Sequence, residues 1–301
     1  MRLRILSAAA VIALTAIGGT AREQSGPLQH ELRRQLQSRL DAIAAKVDGV
    51  LGYVLVDLTT RDRVGSRLES QAFPTASTIK LAILYELLKQ SDEGQIVLDK
   101  PAVLDRSQIV GGSGVLQHLS APILSLADHA ALMIIVSDNT ATNVVIDAVG
   151  MDNVTARMKT MGLGDVLLRR KMMDSAAVQR GDENVASPAS LARIAEILWR
   201  GDGLKQDSRD AGLRILYQVN GSIRSAVPAR VRVASKTGTL DGVRAEAAVV
   251  ELKERPFALA VMTTYLRIDA EGQRAIGEVA DAAFAYFERM GSGGAYGRTS
   301  P

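Results

Sequence analysis

A serine hydroxyl becomes a nucleophile only when a neighbour can take its proton, and Ser77 has a candidate three residues on, in Lys80. The pair opens a stretch in which Leu81, Leu84, Leu87 and Leu88 recur at helical spacing without Gly or Pro. Pro74 pre-sets the chain just upstream. Ser77 is therefore expected in or near the first turn of a helix, with Lys80 over it on the same face. Lys80 can act as the base if burial or other cations lower its pKa, and free N–H groups at a helix start favour the developing alkoxide. Alone the pair is weak, since ordinary Ser and Lys usage yields roughly one Ser-x-x-Lys in a chain this long.

Two further tripeptides change that. Ser137-Asp138-Asn139 falls in a short break between two helical segments, where side chains can project into a cleft, and Lys236-Thr237-Gly238 directly follows a strand-like Val231–Ser235 run. Other chemistries fit less well. A Walker A reading of Lys236-Thr237 needs glycines where the chain has Ser235 and Arg230. No Gly-x-Ser-x-Gly appears, Gly112-Ser113-Gly114 being a near miss. His30, His118 and His129 lack metal-ligand spacing and read as structural, and Arg224 and Arg244 read as surface arginines before carboxylate binders.

The elements that must position these residues divide in chain order. Leu28, Leu32, Leu36, Leu40, Ile43 and Val47 mark an amphipathic helix ending near Asp48-Gly49. Gly52–Leu58 reads as a strand, with a return strand around Val64. From about Ser91 to Val219 the chain turns mostly helical. Ser125 to Asp128 forms a capping box, Asn139–Val149 a helix stopped by Gly150, Asp152 the cap of a third ended by Gly162, and Ser187-Pro188 the start of a fourth. Strands return at Val231–Ser235, Ala245–Glu251 and Phe257–Tyr265, before a last helix through Ile276, Val279, Ala283, Phe284 and Phe287. Strands at both ends imply one antiparallel sheet built from the two termini, with the helical middle inserted as a second lobe and a site in the cleft between. The sheet lobe is expected over about 28–73 and 220–290, and the helical lobe over about 74–219.

Arg2 and Arg4, the apolar run Ile5–Ile17 and the small residues Gly19 to Ala21 read as an export signal over 1–21. The run is shorter than the ~20 residues that span a bilayer, so the mature protein, from Arg22, is expected to be periplasmic or secreted, without stable membrane insertion. Residues 291–301 are Gly/Ser-rich and expected to be a disordered tail. With 36 basic against 33 acidic residues, scattered, and 4% aromatics, nucleic acid is excluded as a partner. No cysteine is present, which removes thiol catalysis and Cys-based zinc sites. A chain that is 47% apolar can rely on its core without disulfides.

The three motifs in this order resemble the class A serine β-lactamases and the penicillin-binding proteins. Ser137–Asn143, Gly111–Gln117, Ile223–Pro228 and Lys236–Thr239 all look like class A segments, so the likeness covers nearly the whole mature chain. It implies an α/β (α+β) β-lactamase/transpeptidase-like fold: a five-stranded antiparallel sheet flanked by helices, plus an inserted all-helical lobe. It implies no cofactor or metal, a small-molecule β-lactam or peptidoglycan-peptide-like substrate, and a monomer. By the same likeness Ser77 attacks the lactam carbonyl and Lys80 takes its proton. Ser137 passes a proton to the leaving nitrogen, near Lys80 and Lys236. Asn139 donates to the substrate's amide side chain, and Lys236, Thr237 and Thr239, with Gly238 among them, hold its carboxylate. The backbone N–H groups of Ser77 and Thr239 form the oxyanion hole.

The chain departs from the family in one place. Class A enzymes carry a loop glutamate that activates the deacylating water, and here the position falls near Lys171 or Met172. Asp174, one methylene shorter than glutamate, is the carboxylate nearby and the candidate for deacylation. Acylation is expected to be intact, and the alternative is a penicillin-binding peptidase or esterase that deacylates slowly.

Overall fold

In a computed structural model of the chain, which describes residues 26–120, 122–293 and 297–298, the termini do build one sheet. Helix α1 (Pro27–Ala44) leads into strands β1 (Val50–Asp57) and β2 (Arg63–Arg67), then the two-residue strand β3 (Phe73–Pro74). A 3₁₀ turn over Ala76–Ile79 runs directly into α2 (Lys80–Asp92). The helical middle holds the short strands β4 (Ala102–Val103) and β5 (Ile123–Leu124), then α3 (Leu126–Ile135), α4 (Asn139–Val149), α5 (Met151–Thr160) and α6 (Ser175–Gln179). Strand β6 (Val185–Ala186), α7 (Pro188–Arg200), α8 (Gln206–Leu216) and α9 (Ser222–Ala226) lead back to β7 (Arg232–Leu240), β8 (Val243–Glu251), β9 (Phe257–Thr264) and α10 (Asp269–Ser292). The sheet order is β2-β1-β9-β8-β7, antiparallel throughout. β7 is therefore an edge strand, which leaves one side open toward the helical lobe.

Two cores sandwich the sheet. On one face Leu40, Leu55, Val261, Val279 and Phe287 pack with α1 and α10, where Phe257 and Phe287 stack with centroids 4.3 Å apart. On the other, Val54, Ala247 and Met262 meet α7 and α2. Helix α2 is buried almost all round, from Lys80 through Leu88. A helix buried on nearly every side sits inside a core, and α2 becomes the fixed axis of the helical lobe.

Local signals explain most boundaries. The Ser125 side chain accepts from Asp128 N and the Asp128 carboxylate from Ser125 N, the reciprocal capping box expected. Ser187 caps α7 and Gly201, at φ 78°, ends it. Three expectations need correcting. Gly150, at φ 84°, turns the chain straight from α4 into α5, so Asp152 lies in the first turn and is not the cap. Lys236-Thr237-Gly238 lies inside β7, because pairing continues to a two-residue Asp241-Gly242 turn. α10 runs on through Ser292, past the expected start of the tail. The export-signal reading of 1–21 and most of the tail lie outside the described residues.

Candidate active site

Ser77 sits in the 3₁₀ turn, half-buried between buried neighbours. The turn is held from both sides. Thr75 N and Oγ1 both donate to Asn184 O at 2.9 and 3.0 Å, and Thr78 Oγ1 donates to Thr75 O at 2.6 Å. From the sheet side, Gly238 of β7 fits against it because it has no side chain: a Cβ there would lie 2.7 Å from Thr75 O and 3.1 Å from Ser77 N. The glycine of this motif is thus what lets the edge strand approach the nucleophile's backbone.

Lys80, the first residue of α2, is completely buried. Its Nζ lies within hydrogen-bond distance of Ser137 O at 2.8 Å, Ser137 Oγ at 3.1 Å and Asn139 Oδ1 at 3.3 Å. Burial first, and then the positive charge of Lys236, hold its pKa well below the ordinary lysine range, against the opposing pull of Asp138. A neutral amine there can accept a proton. The break between α3 and α4 is fixed by Asp138, whose Oδ1 caps α4 at Ala141 N (2.9 Å) while Oδ2 accepts from Val115 N and Leu116 N at 2.7 and 2.9 Å. That anchoring presents Ser137, at φ 55°, toward Lys80. Asn139 Nδ2 reaches Gly111 O at 3.1 Å, tying the 111–117 loop to the same point. Ala76 and Ser137, on either side of this junction, are both non-glycine residues at positive φ, strain of the kind that persists at functional sites.

On β7, Lys236 is buried, Thr237 half-buried and Thr239 exposed. Burial lowers the Lys236 pKa to about 8, and Glu246 partly opposes that. Ser77, Asn139 and Thr239 line one cleft of about 540 Å³ together with Met172, Met173 and Asp174. Thr237, Gly238 and Thr239 also line a second cavity of about 900 Å³ on the α9–α10 side of the strand. The structure thus gathers Ser77, Lys80, Ser137, Asn139 and the Lys236–Thr239 stretch at one junction.

The loop before α7 differs from a glutamate-bearing one. Lys171 pairs with Asp147 at 2.5 Å, and Met172 is buried, pinned by reciprocal bonds of its backbone to the Asn143 side chain at 2.8 and 3.1 Å. Asp174 caps α6, its Oδ1 accepting from Ala177 N at 2.9 Å. Arg170, only 7% exposed, pairs with Glu183 at 2.8 Å.

Sequence reasoning missed Glu246, which is 1% exposed, stands across from Thr237 and accepts from Ile223 N at 3.1 Å. Burial pushes its pKa up to about 7. A glutamate inside an otherwise apolar strand was the available signal. It also missed Asn184, whose side chain accepts from Arg169 N and Arg170 N and donates to Arg170 O. Arg224 and Arg244 are not surface arginines. The first donates to the carbonyls of Val227, Pro228 and Val231, and the second to those of Leu240 and Val243 while pairing with Asp269.

A family profile described as the beta-lactamase enzyme family matches residues 35–287. A beta-lactamase of Proteus vulgaris is 28% identical over 252 residues, covering 80% of this chain and 91% of that protein. One from Citrobacter koseri is 28% identical over 252 residues, covering 80% and 84%. Among solved structures, a beta-lactamase from Sphaerobacter thermophilus superposes with a TM-score of 0.78 at 30% identity, covering 84% of this chain and 97% of that one. PBP-A superposes at 0.76 with 26% identity, covering 86% and 96%. A mutant of PBP-A has been solved as an acyl-enzyme complex with penicillin G.

Proposed function

The chain belongs to the beta-lactamase enzyme family and is a class A-like hydrolase, and we propose that it opens the β-lactam ring through an acyl-enzyme on Ser77. Ser77 Oγ attacks the carbonyl carbon as its proton passes to Lys80 Nζ. The carbon–nitrogen bond breaks, Ser137 delivers its hydroxyl proton to the departing nitrogen and takes the proton held on Lys80 Nζ, 3.1 Å away, in its place, and an ester on Ser77 remains. Lys236, Thr237 and Thr239 hold the substrate carboxylate, and Asn139 donates to the acyl amide. The N–H groups of Ser77 and Thr239 take the oxyanion, worth about 3 kcal/mol per donor. The observation that carries this reading is the completely buried Lys80, its Nζ 3.1 Å from Ser137 Oγ.

Water must then cleave the ester, and Asp174 is the residue of the 168–174 stretch with a carboxylate to activate it. A second reading is favoured by the fact that one oxygen of Asp174 is already engaged as the α6 cap, while Lys171 and Met172 bring no carboxylate. On that reading the protein is a penicillin-binding peptidase or esterase that β-lactams acylate and that frees itself slowly. The protein is exported, acts as a monomer in the periplasm or outside the cell, and takes a small β-lactam or peptidoglycan-peptide-like substrate without a cofactor. Turnover of a chromogenic cephalosporin, followed beside intact-mass detection of the acylated protein, separates the two. Steady turnover supports the β-lactamase, one-to-one labelling without turnover supports the slow acyl-enzyme, and neither overturns both.

A further inference from the structure

The chain has no cysteine, so methionine is its only sulfur and the side chain a peroxide attacks first. Among the described residues one methionine stands open to such attack. Met133, Met158 and Met262 are fully buried, Met172 and Met290 are at most 9% exposed, and Met151 and Met161 are half-buried. Met173 is 56% exposed, and it lines the cleft that contains Ser77 and Asn139.

Its position is held from both sides. Met172 is pinned by Asn143 and Asp174 caps α6. Between them Met173 turns at φ 62°, its carbonyl accepting from Ser175 N at 3.0 Å. A left-handed non-glycine residue in a reactive cleft is strain of the kind that persists at functional sites. The thioether is set against the 111–114 loop at Gly112, itself at φ 87°. A Cβ on Gly112 would lie 3.1 Å from Met173 Sδ and 2.7 Å from Asn139 Nδ2. The sulfur and the Asn139 amide therefore converge on one bare stretch of backbone. That amide nitrogen donates one hydrogen to Gly111 O at 3.1 Å and keeps its second for the acyl amide of the substrate.

We propose that Met173 is a modification site for peroxides, and that its sulfoxide slows acylation of Ser77 by capturing the Asn139 amide. A sulfur lone pair attacks one oxygen of hydrogen peroxide, the O–O bond breaks, and the other oxygen leaves as water after a proton shift. Sulfur is oxidised by two electrons and the peroxide is reduced by two. A soft apolar thioether becomes a polar, chiral sulfoxide whose oxygen is an acceptor. Asn139 Nδ2 then gives its second hydrogen to that oxygen rather than to the substrate. The oxidation stands by itself, whereas its effect rests on the acyl-enzyme reading of Ser77.

Tandem mass spectrometry of peptides after dilute hydrogen peroxide, which separates Met173 from Met172, tests the first part. Oxygen should enter Met173 about tenfold faster than Met151 or Met161, and more slowly still elsewhere. Incorporation at Met173 no faster than at those two overturns the site. The second part compares benzylpenicillin acylation before and after oxidation, as a ratio within each protein. The wild-type rate should fall about three- to tenfold, the effect of one lost hydrogen bond, and return with methionine sulfoxide reductases for both epimers. Met173→Leu should show no fall, and Met173→Gln, polar from the start, should acylate slowly without peroxide. An unchanged rate in oxidised wild type, or an equal fall in Met173→Leu, overturns the coupling to the cleft. Wild-type protein that benzylpenicillin never acylates overturns the acyl-enzyme reading and that coupling with it, while the peptide map still decides the modification.

Discussion

Lys80 and Lys236 are both buried at the lobe junction, and the charge of Lys236 is one of the causes that keep the Lys80 amine below the ordinary lysine range. Two adjacent buried cations are costly, so the arrangement favours one neutral amine beside one ammonium. That division suits the proposed roles, a base at Lys80 and a carboxylate holder at Lys236.

Lys80→Ala should slow acylation by about 10²–10⁴-fold, the range one general base supplies, while Ser77 stays in place on its Thr75 and Thr78 anchors. Stopped-flow labelling with a fluorescent penicillin measures it. Near-normal labelling would make Lys80 a packing residue only.

Lys236 titrates at about 8 in the fold against 10.5 for an unburied lysine. Below pH 8 both folded and unfolded states hold the proton and the burial penalty is fully present. Between about 8 and 10.5 the unfolded chain binds more protons, so stability rises with pH. Lys236→Met should therefore raise the melting temperature at pH 7, by an amount worth at most about 3 kcal/mol, and lose that advantage as pH climbs through the window. Thermal melts at pH 7 and pH 10 check the sign. A variant less stable than wild type at pH 7 would mean the lysine's contacts outweigh its desolvation.

If Lys236 must be protonated to hold the substrate carboxylate, acylation should decline as pH passes about 8. Glu246 raises the Lys236 pKa, so Glu246→Gln should move that alkaline limb to lower pH while keeping an acceptor for Ile223 N. Superimposable pH profiles for the two proteins would detach Glu246 from the chemistry.

Gly238→Ala places a methyl 2.7 Å from a backbone oxygen, Thr75 O, and 3.1 Å from Ser77 N. Neither atom can rotate away, so β7 must shift. Overpacking of this kind typically costs about 1–3 kcal/mol, and acylation should fall with it because Thr239 N moves relative to Ser77. Unchanged stability and labelling would show that the strand has slack there.

Asp174→Asn should keep the melting temperature, since asparagine caps as well as aspartate, whereas Asp174→Ala should lose about 1 kcal/mol. Both should acylate normally. A selective loss of deacylation in Asp174→Asn assigns the hydrolytic carboxylate, and unchanged turnover leaves Asp174 as the cap alone. Single-turnover release of labelled protein measures it.

The motifs and the helix boundaries were legible because they are local: a capping box at Ser125, Gly201 at a helix end, leucines at helical spacing along α2. The two-ended sheet followed from the order of strand and helix patterns. What stayed hidden depends on contacts distant in sequence. Nothing near Lys80 in the chain announces that Ser137 and Asn139 will enclose it, and only the likeness to the family placed Ser137 beside it. The reach of β7 was misjudged because Thr237-Gly238 resembles a turn, when Gly238 is needed for close approach to Thr75. Arg244 looked like a surface residue because its ion-pair partner, Asp269, comes from the start of α10.

Intact-mass spectrometry of acid-quenched protein, sampled seconds after mixing with benzylpenicillin, tests the central claim most directly, with Ser77→Ala run alongside. The acyl-enzyme mechanism predicts that wild type gains the mass of one whole penicillin on the peptide containing Ser77, and that Ser77→Ala, folded and with an unchanged melting temperature, gains none. An adduct on Ser77→Ala, or penicillin hydrolysed by that variant at the wild-type rate, would contradict it and place the nucleophile elsewhere.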